Sequence, residues 1–131
     1  MKLHHIGIAV KNLKQAIERW GLLGLPEYGT EVVSGEKVQV AFMGADLPKI
    51  ELLEATQHDS VVAQFIEKKG EGIHHICFQV KNIEEAMKKL QSQQVSFTTP
   101  SAKKGSQGSR VAFIYPKHFN GVLVELRETG G

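Results

Sequence analysis

The sequence predicts an α+β fold in which one βαβββ unit is used twice within a single domain. The first observation is an internal repeat, because the segment at residues 3–6 returns at residues 73–76 with the same two histidines. The second is another repeated segment, because residues 50–52 recur as residues 124–126 with a glutamate between two apolar residues. The third is size, since 131 residues with 41% hydrophobic content can bury one substantial core.

The first repeat contains one helix and four strands by pattern. Residues 3–10 alternate and include β-branched residues, which predicts a strand. Asn12 follows as a helix N-cap, with Gln15 three residues later to complete a capping box. The helix is expected to pass Trp20 and to end near the following glycines. Three further strands are predicted at residues 28–33, 38–43 and 50–54.

The second repeat has the same order after a connector. Val62, Phe65 and Ile66 have helical spacing and predict an amphipathic helix at about residues 59–69. A strand at 73–80 then leads to Asn82 as N-cap and to a second repeat helix. Strands are predicted after it at 95–99, 110–115 and 122–126. The first module thus spans about residues 1–56 and the second about residues 72–128 of one domain.

Alternation along these strands selects candidate site residues. His5 shares one face of its strand with small residues, whereas His4 lies on the apolar face expected to pack under the helix. His75 is placed in the same way in the second repeat. Glu51 and Glu125 each point away from their apolar neighbours, toward the open face. Gln39 and Arg110 are assigned to equivalent inner positions of the middle strands.

Two imidazoles and two carboxylates together are a metal ligand set. A single histidine on a strand is more often a satisfied core residue than a ligand. Four ligand-type residues at matching positions of a duplication reverse that expectation. Their chemistry suits one borderline divalent ion per chain, such as Co, Zn, Mn or Ni, and the sequence does not choose among these metals.

Three motifs, at residues 5–10, 50–54 and 121–126, resemble the vicinal oxygen chelate superfamily. The resemblance covers nearly the whole chain and implies that the two modules pair into one curved mixed sheet around a metal cavity. Within the superfamily, residues 59–76 and 116–117 are most similar to the methylmalonyl-CoA epimerase family. Val61 departs from the proline that is typical of the family at this position.

The resemblance implies an isomerase with an acyl-CoA substrate. Its activity is the metal-dependent epimerisation of the α-carbon of methylmalonyl-CoA, in which a proton is removed and returned through a metal-stabilised enolate. The family also suggests a homodimer. The metal ligands carried over to this sequence are His5, Glu51, His75 and Glu125.

The resemblance also assigns roles to individual residues. Glu125 is the first base. One characterised type of the family has a catalytic glutamate at the position that is Gln39 in this sequence. The amide of Gln39 cannot accept a proton at neutral pH. We therefore expect Glu51 or an active-site water to serve the second face of the substrate. Substrate contacts are expected from Gln39, Arg110 and Lys117, and Lys103 and Lys104 are weaker candidates for the CoA phosphates, because exposed loop lysines are usually only solvated.

Composition excludes several other classes of function. The net charge is +2 with no basic stripe, so nucleic acid is not an expected partner. No apolar run approaches the ~20 residues that span a bilayer, and the N-terminus lacks a signal-peptide pattern. The lone cysteine, Cys77, has no internal partner for a disulfide, which is typical of a reducing compartment. We expect a cytoplasmic protein that does not associate with membranes.

Three alternatives share this fold. A glyoxalase I-like lyase acting on a glutathione hemithioacetal has the same type of ligand set. An extradiol-type dioxygenase uses two histidines and one carboxylate, and Glu51 argues against it by filling a fourth position. A metal-free module that binds a small ligand would not need all four ligands. The acyl group is also open, because ethylmalonyl-CoA or another 2-substituted malonyl thioester requires the same residues.

Overall fold

The computed structural model describes residues 1–129, which form eight β-strands and three α-helices. The chain divides into two compact units. The N-terminal unit comprises residues 5–74, and the C-terminal unit comprises residues 1–4 with residue 75 onward. Among the described residues, no helix has the length and apolar character needed to cross a membrane.

The N-terminal unit contains the connector helix and the first βαβββ repeat, apart from residues 2–4 at the start of that repeat. Its sheet has the order β2-β3-β4-β1, with β1 parallel to β4 and the other neighbours antiparallel. Its elements are β1 (Lys2–Ala9), α1 (Leu13–Gly21), β2 (Glu27–Val33), β3 (Val38–Met43), β4 (Lys49–Ala55) and α2 (Val61–Lys69).

The C-terminal unit repeats this arrangement. Its sheet has the order β5-β8-β7-β6, again with one parallel pair, β5 with β8, and antiparallel neighbours elsewhere. Its elements are β5 (Gly72–Val80), α3 (Ile83–Ser92), β6 (Lys103–Lys104), β7 (Arg110–Ile114) and β8 (Val124–Glu128). The predicted α+β class and the repeated βαβββ order are therefore confirmed.

Each repeat helix packs on one face of its own sheet. In the N-terminal unit, α1 covers Ile8, Leu52 and Met43, and in the C-terminal unit α3 covers the corresponding apolar face. The connector helix α2 packs on the other face of the N-terminal sheet, where Val62 contacts a cluster that includes Val40. Both faces of the N-terminal sheet are thus partly covered, and burial of these side chains is the main stabilising contribution.

The two repeat helices begin at the predicted caps. The side-chain oxygen of Asn12 accepts a hydrogen bond from the Gln15 N–H at 2.9 Å, and Asn82 accepts from the Glu85 N–H at 3.0 Å. Ser60 caps α2 in the same manner. These bonds satisfy N–H groups that the first turn of a helix leaves without an intrahelical partner.

One predicted strand is wrong. Residues 95–99 form only an isolated bridge between Phe97 and Ile114, and the sheet continues at the two-residue strand β6. Pro100 interrupts the segment, and proline has no backbone N–H to donate to a strand ladder. The predicted last strand also lies two residues later, at Val124–Glu128.

Candidate active site

The N-terminal unit brings His5 and Glu51 together. The parallel register pairs Gly7 with Glu51, so the side chains of His5 and Glu51 project from the same face of the sheet. His5 Nδ1 lies 3.0 Å from Glu51 Oε2, and both side chains are buried. This contact does not have hydrogen-bond geometry, and within residues 1–129 Glu51 Oε2 has no hydrogen-bond partner.

The C-terminal unit brings His75 and Glu125 together in the same way. Here the register pairs Cys77 with Glu125, and His75 Nε2 lies 3.1 Å from Glu125 Oε1. Both side chains are again buried. The His75 ring meets the Phe113 ring edge-on, with 5.8 Å between the ring centroids, so the imidazole is packed in a defined orientation.

Each glutamate stands in the middle of a cross-strand row. In the N-terminal unit this glutamate row consists of Phe42, Glu51 and Gly7. In the C-terminal unit it consists of Phe113, Glu125 and Cys77. The duplication therefore preserves a buried histidine–glutamate pair and the phenylalanine beside each glutamate.

The two pairs have the chemistry of metal ligands. Burying a carboxylate without hydrogen bonds is unfavourable unless a cation compensates it, and Glu51 Oε2 is such an oxygen among the described residues. Each pair also places an imidazole nitrogen beside a carboxylate oxygen, at 3.0 Å in the N-terminal unit and 3.1 Å in the C-terminal unit, and these are donor atoms that divalent ions bind in proteins. The residues present thus fit a divalent ion.

Two residues predicted as substrate contacts lie on the helix faces of their sheets and not at the predicted inner positions. Gln39 pairs with Glu54, and the Glu54 carboxylate accepts from the Leu13 N–H of α1, so Gln39 lies on the helix face and not beside Glu51. Arg110 forms ion pairs with Glu84 of α3 and with Glu128. It too lies on the helix face of its sheet.

Lys117 lies outside the sheet, in a short 3-10 helix at Pro116–His118. Its ammonium is exposed and lies 5.9 Å from the centroid of the Tyr115 ring. Its contact with substrate stays a prediction.

Sequence reasoning missed Arg127. This arginine is two residues beyond Glu125 on β8, so it shares the face of Glu125, and it is only 8% exposed. Alternation along the strand could have found it, because the same argument had already selected Glu125. Lys103 also reaches this face, since it pairs with Val111, which in turn pairs with Arg127.

Comparison with known proteins agrees with this architecture. Residues 4–113 match the Glyoxalase/Bleomycin resistance protein/Dioxygenase superfamily. The mitochondrial methylmalonyl-CoA epimerase of Dictyostelium discoideum is 38% identical, over 97% of this chain and 78% of its own length.

Solved structures are similar over the whole chain. The methylmalonyl-CoA epimerase from Mycobacterium tuberculosis has a TM-score of 0.94 at 32% identity, covering 99% of this chain and 89% of that one. A methylmalonyl-CoA epimerase in complex with methylmalonyl-CoA and NH4+ has a TM-score of 0.92 at 31% identity, covering 99% and 95%. The chain belongs to the methylmalonyl-CoA epimerase family of the Glyoxalase/Bleomycin resistance protein/Dioxygenase superfamily, and it is an epimerase.

Proposed function

We propose that this epimerase interconverts the R and S configurations of the α-carbon of methylmalonyl-CoA, using one divalent ion bound per chain. The observation that carries the proposal is the buried histidine–glutamate pair, present at the same positions of both repeats. We propose that His5, Glu51, His75 and Glu125 together hold the ion. The acyl-CoA substrate is supported by the relatives that carry this activity in their names.

The reaction requires two proton transfers on opposite faces of one carbon. When bound, a divalent ion at these residues supplies Lewis-acid stabilisation of the negative charge that develops on the thioester oxygen. Glu125 accepts the proton as the α-carbon C–H bond breaks, and the electron pair delocalises into the thioester carbonyl. A proton then returns to the opposite face of the same carbon, which inverts its configuration.

Glu51 is the proposed second proton carrier, with an active-site water as the alternative. The site face of β3 offers no other titratable group, because Val38, Val40 and Phe42 occupy it and Gln39 faces α1. Glu51 Oε2 is buried and has no hydrogen-bond partner within residues 1–129, so this oxygen is available to an ion or a proton. The duplication motivates the assignment, since Glu51 and Glu125 occupy equivalent positions.

An isotope experiment tests the proposal directly. Protein loaded with a divalent metal is incubated in D₂O with methylmalonyl-CoA of a single configuration, and EDTA-stripped protein serves as the control. We expect deuterium at the α-carbon and loss of configuration only in the loaded sample. Absence of exchange above the stripped control contradicts the proposal, and the glutathione–methylglyoxal hemithioacetal is then the next substrate to assay.

We further propose that the native metal is Co, Zn, Mn or Ni, and that the protein is a cytoplasmic homodimer. The ligand set supports the metal class, and the single buried cysteine, Cys77, supports a reducing compartment. Elemental analysis of protein purified without added metal identifies the ion. Light scattering on the purified protein measures its mass, and a mass of one chain contradicts the dimer.

A further inference from the structure

The row next to the glutamate row differs sharply between the two units. In the N-terminal unit this adjacent row consists of Glu31, Val40, Leu53 and Ala9, so none of its side chains is cationic. In the C-terminal unit it consists of Lys103, Val111, Arg127 and Gln79, and so it carries two cationic side chains. Leu53 in one repeat thus corresponds to Arg127 in the other.

Arg127 is a buried cation with only neutral hydrogen-bond partners among the described residues. Its Nη1 donates to the Ser106 carbonyl at 3.4 Å and to the Ser106 hydroxyl at 3.3 Å, and its Nη2 donates to Gln107 Oε1 at 3.0 Å. No described carboxylate forms an ion pair with it. Arg110 provides the contrast, because it is partly exposed and pairs with two carboxylates.

A guanidinium has five N–H donors in a planar fork that matches a carboxylate. The loop contacts use one nitrogen twice and another once, so further N–H donors of Arg127 remain for a ligand. A charge buried in this way is unfavourable until an anion compensates it. Arg127 therefore has both the charge and the geometry of a carboxylate-binding residue.

The loop at residues 105–109 holds Arg127 in place. Gly105 lies so close to β7 that an added Cβ would come within 2.9 Å of Val111, so only glycine allows this approach. The loop is closed by a hydrogen bond from the Gly105 N–H to the Ser109 carbonyl at 2.7 Å. The loop and the adjacent row thus form one packed surface beside Glu125.

The position of Arg127 relative to Glu125 indicates which anionic group of the substrate Arg127 can bind. Arg127 and Glu125 are two residues apart on β8, about 6.7 Å along the strand, and share one face, so an anion held by Arg127 would lie near the carbon that Glu125 deprotonates. The long pantetheine arm separates the CoA phosphates from that carbon. In the substrate, the free carboxylate of the acyl group is the anion nearest to that carbon.

We propose that Arg127 binds the free carboxylate of the 2-substituted malonyl thioester, an inference that rests on the proposed function, and thereby selects malonyl-type thioesters over simple acyl thioesters. Lys103, whose Nζ lies 5.4 Å from the centroid of the Phe113 ring, adds positive charge to the same row. A carboxylate has two oxygens, so binding to Arg127 does not compete with binding to a metal.

Calorimetric titration of EDTA-stripped and metal-loaded protein tests this proposal, with methylmalonyl-CoA and propionyl-CoA as ligands. Propionyl-CoA has the same CoA and methyl groups but no free carboxylate. We expect Arg127→Met to weaken methylmalonyl-CoA binding by about 10- to 100-fold, the value of hydrogen bonds to a charged group, and to leave propionyl-CoA binding unchanged. Arg127→Lys should retain part of the preference, because it keeps the charge without the fork.

Arg110→Met is the matched control, since it removes an arginine from the opposite face, and its preference should equal that of the unmodified protein. Unchanged preference in Arg127→Met overturns the proposal. Equal weakening of both ligands also overturns it, because that result assigns Arg127 to loop anchoring alone. Failure of the D₂O exchange in the unmodified protein refutes the proposed function, whereas normal exchange with unchanged preference refutes only the role of Arg127.

Discussion

The N-terminal and C-terminal units carry matching glutamate rows but have different surroundings for them. In the N-terminal unit the centre of the adjacent row is apolar, because Leu53 and Val40 pack against Val62 of the connector helix. In the C-terminal unit the adjacent row holds Arg127 under a serine- and glycine-rich loop. Both repeats therefore have the same ligand-type residues. Beside them, the N-terminal unit has a packed apolar cluster, whereas the C-terminal unit has a buried arginine.

This difference assigns stability and substrate recognition to different units, whereas two identical units would each have to provide both. Apolar burial such as that of Leu53 contributes stability, whereas a buried arginine reduces it unless an anion binds. We infer that the N-terminal unit supplies rigidity and that the C-terminal unit supplies substrate recognition. Variants made at equivalent positions of the two repeats test this division.

The largest expected effect comes from the two glutamates. Glu125→Gln removes the proposed first base, and we expect kcat to fall by about 10²- to 10⁴-fold, the usual contribution of a general base. Glu51→Gln should leave one configuration of substrate able to exchange its α-proton without inversion, because the amide oxygen can still bind the ion but cannot carry a proton to the second face. Mass spectrometry in D₂O, with chiral analysis of the same samples, measures exchange and inversion separately.

Normal inversion in Glu51→Gln assigns Glu51 to metal binding alone and leaves the second face to water. Normal turnover in Glu125→Gln contradicts its role as base. Circular dichroism spectra of both variants serve as the control for folding.

The two histidines test whether the repeats share one ion. We expect His5→Ala and His75→Ala each to weaken metal binding by more than about 100-fold, since loss of a direct ligand should exceed the effect of losing a supporting contact. Metal content per chain after dialysis, measured by elemental analysis, reports the effect. His58→Ala removes an exposed histidine and is the control. If either site variant keeps full metal content, the ion belongs to one pair only.

The adjacent rows should respond oppositely to substitution. Leu53→Ala leaves a cavity in a packed cluster, so we expect the free energy of unfolding to fall by about 2–5 kcal/mol. Arg127→Met replaces a buried charged side chain with an unbranched apolar one, so we expect the free energy of unfolding to be unchanged or raised. Urea unfolding of both variants without ligand measures this contrast. A loss of stability in Arg127→Met as large as in Leu53→Ala shows that the loop contacts outweigh the cost of the buried charge.

The helix caps should show the smallest effect and no difference between the repeats. Asn12→Ala and Asn82→Ala each remove one hydrogen bond to a first-turn N–H, which should lower the free energy of unfolding by about 1 kcal/mol. The double variant should lose about 2 kcal/mol, because the caps share no partner. Thermal unfolding of the three variants measures additivity, and a strong excess in the double variant contradicts independent capping.

Sequence predicted well wherever a local rule was strong. Asn12 and Asn82 cap their helices because a short side-chain oxygen there accepts from an N–H three residues later, which needs no tertiary contact. His5 and Glu51 were placed on one face because each alternates with large apolar residues on its own strand. The repeat itself predicted the βαβββ order, since each half carries the same succession of strand and helix patterns.

Other placements required tertiary contacts. Both faces of β3 are apolar, with Val40 and Phe42 on one side and Ala41 and Met43 on the other, so alternation alone did not reveal which face α1 covers. Gln39 was therefore assigned to the wrong side. Arg110 was misplaced for a similar reason, because its partners Glu84 and Glu128 are distant in sequence.

By itself, the sequence determined the fold class, the repeated histidine–glutamate pairs and the family, because these depend on periodicity and on residue identity at fixed spacing. Only the tertiary structure decided that α2 covers part of one sheet face, that Gln39 and Arg110 lie on helix faces, and that Arg127 is buried beside Glu125. The physical reason is that strand alternation fixes which side chains share a face, whereas the covering of each face depends on packing between elements far apart in the chain.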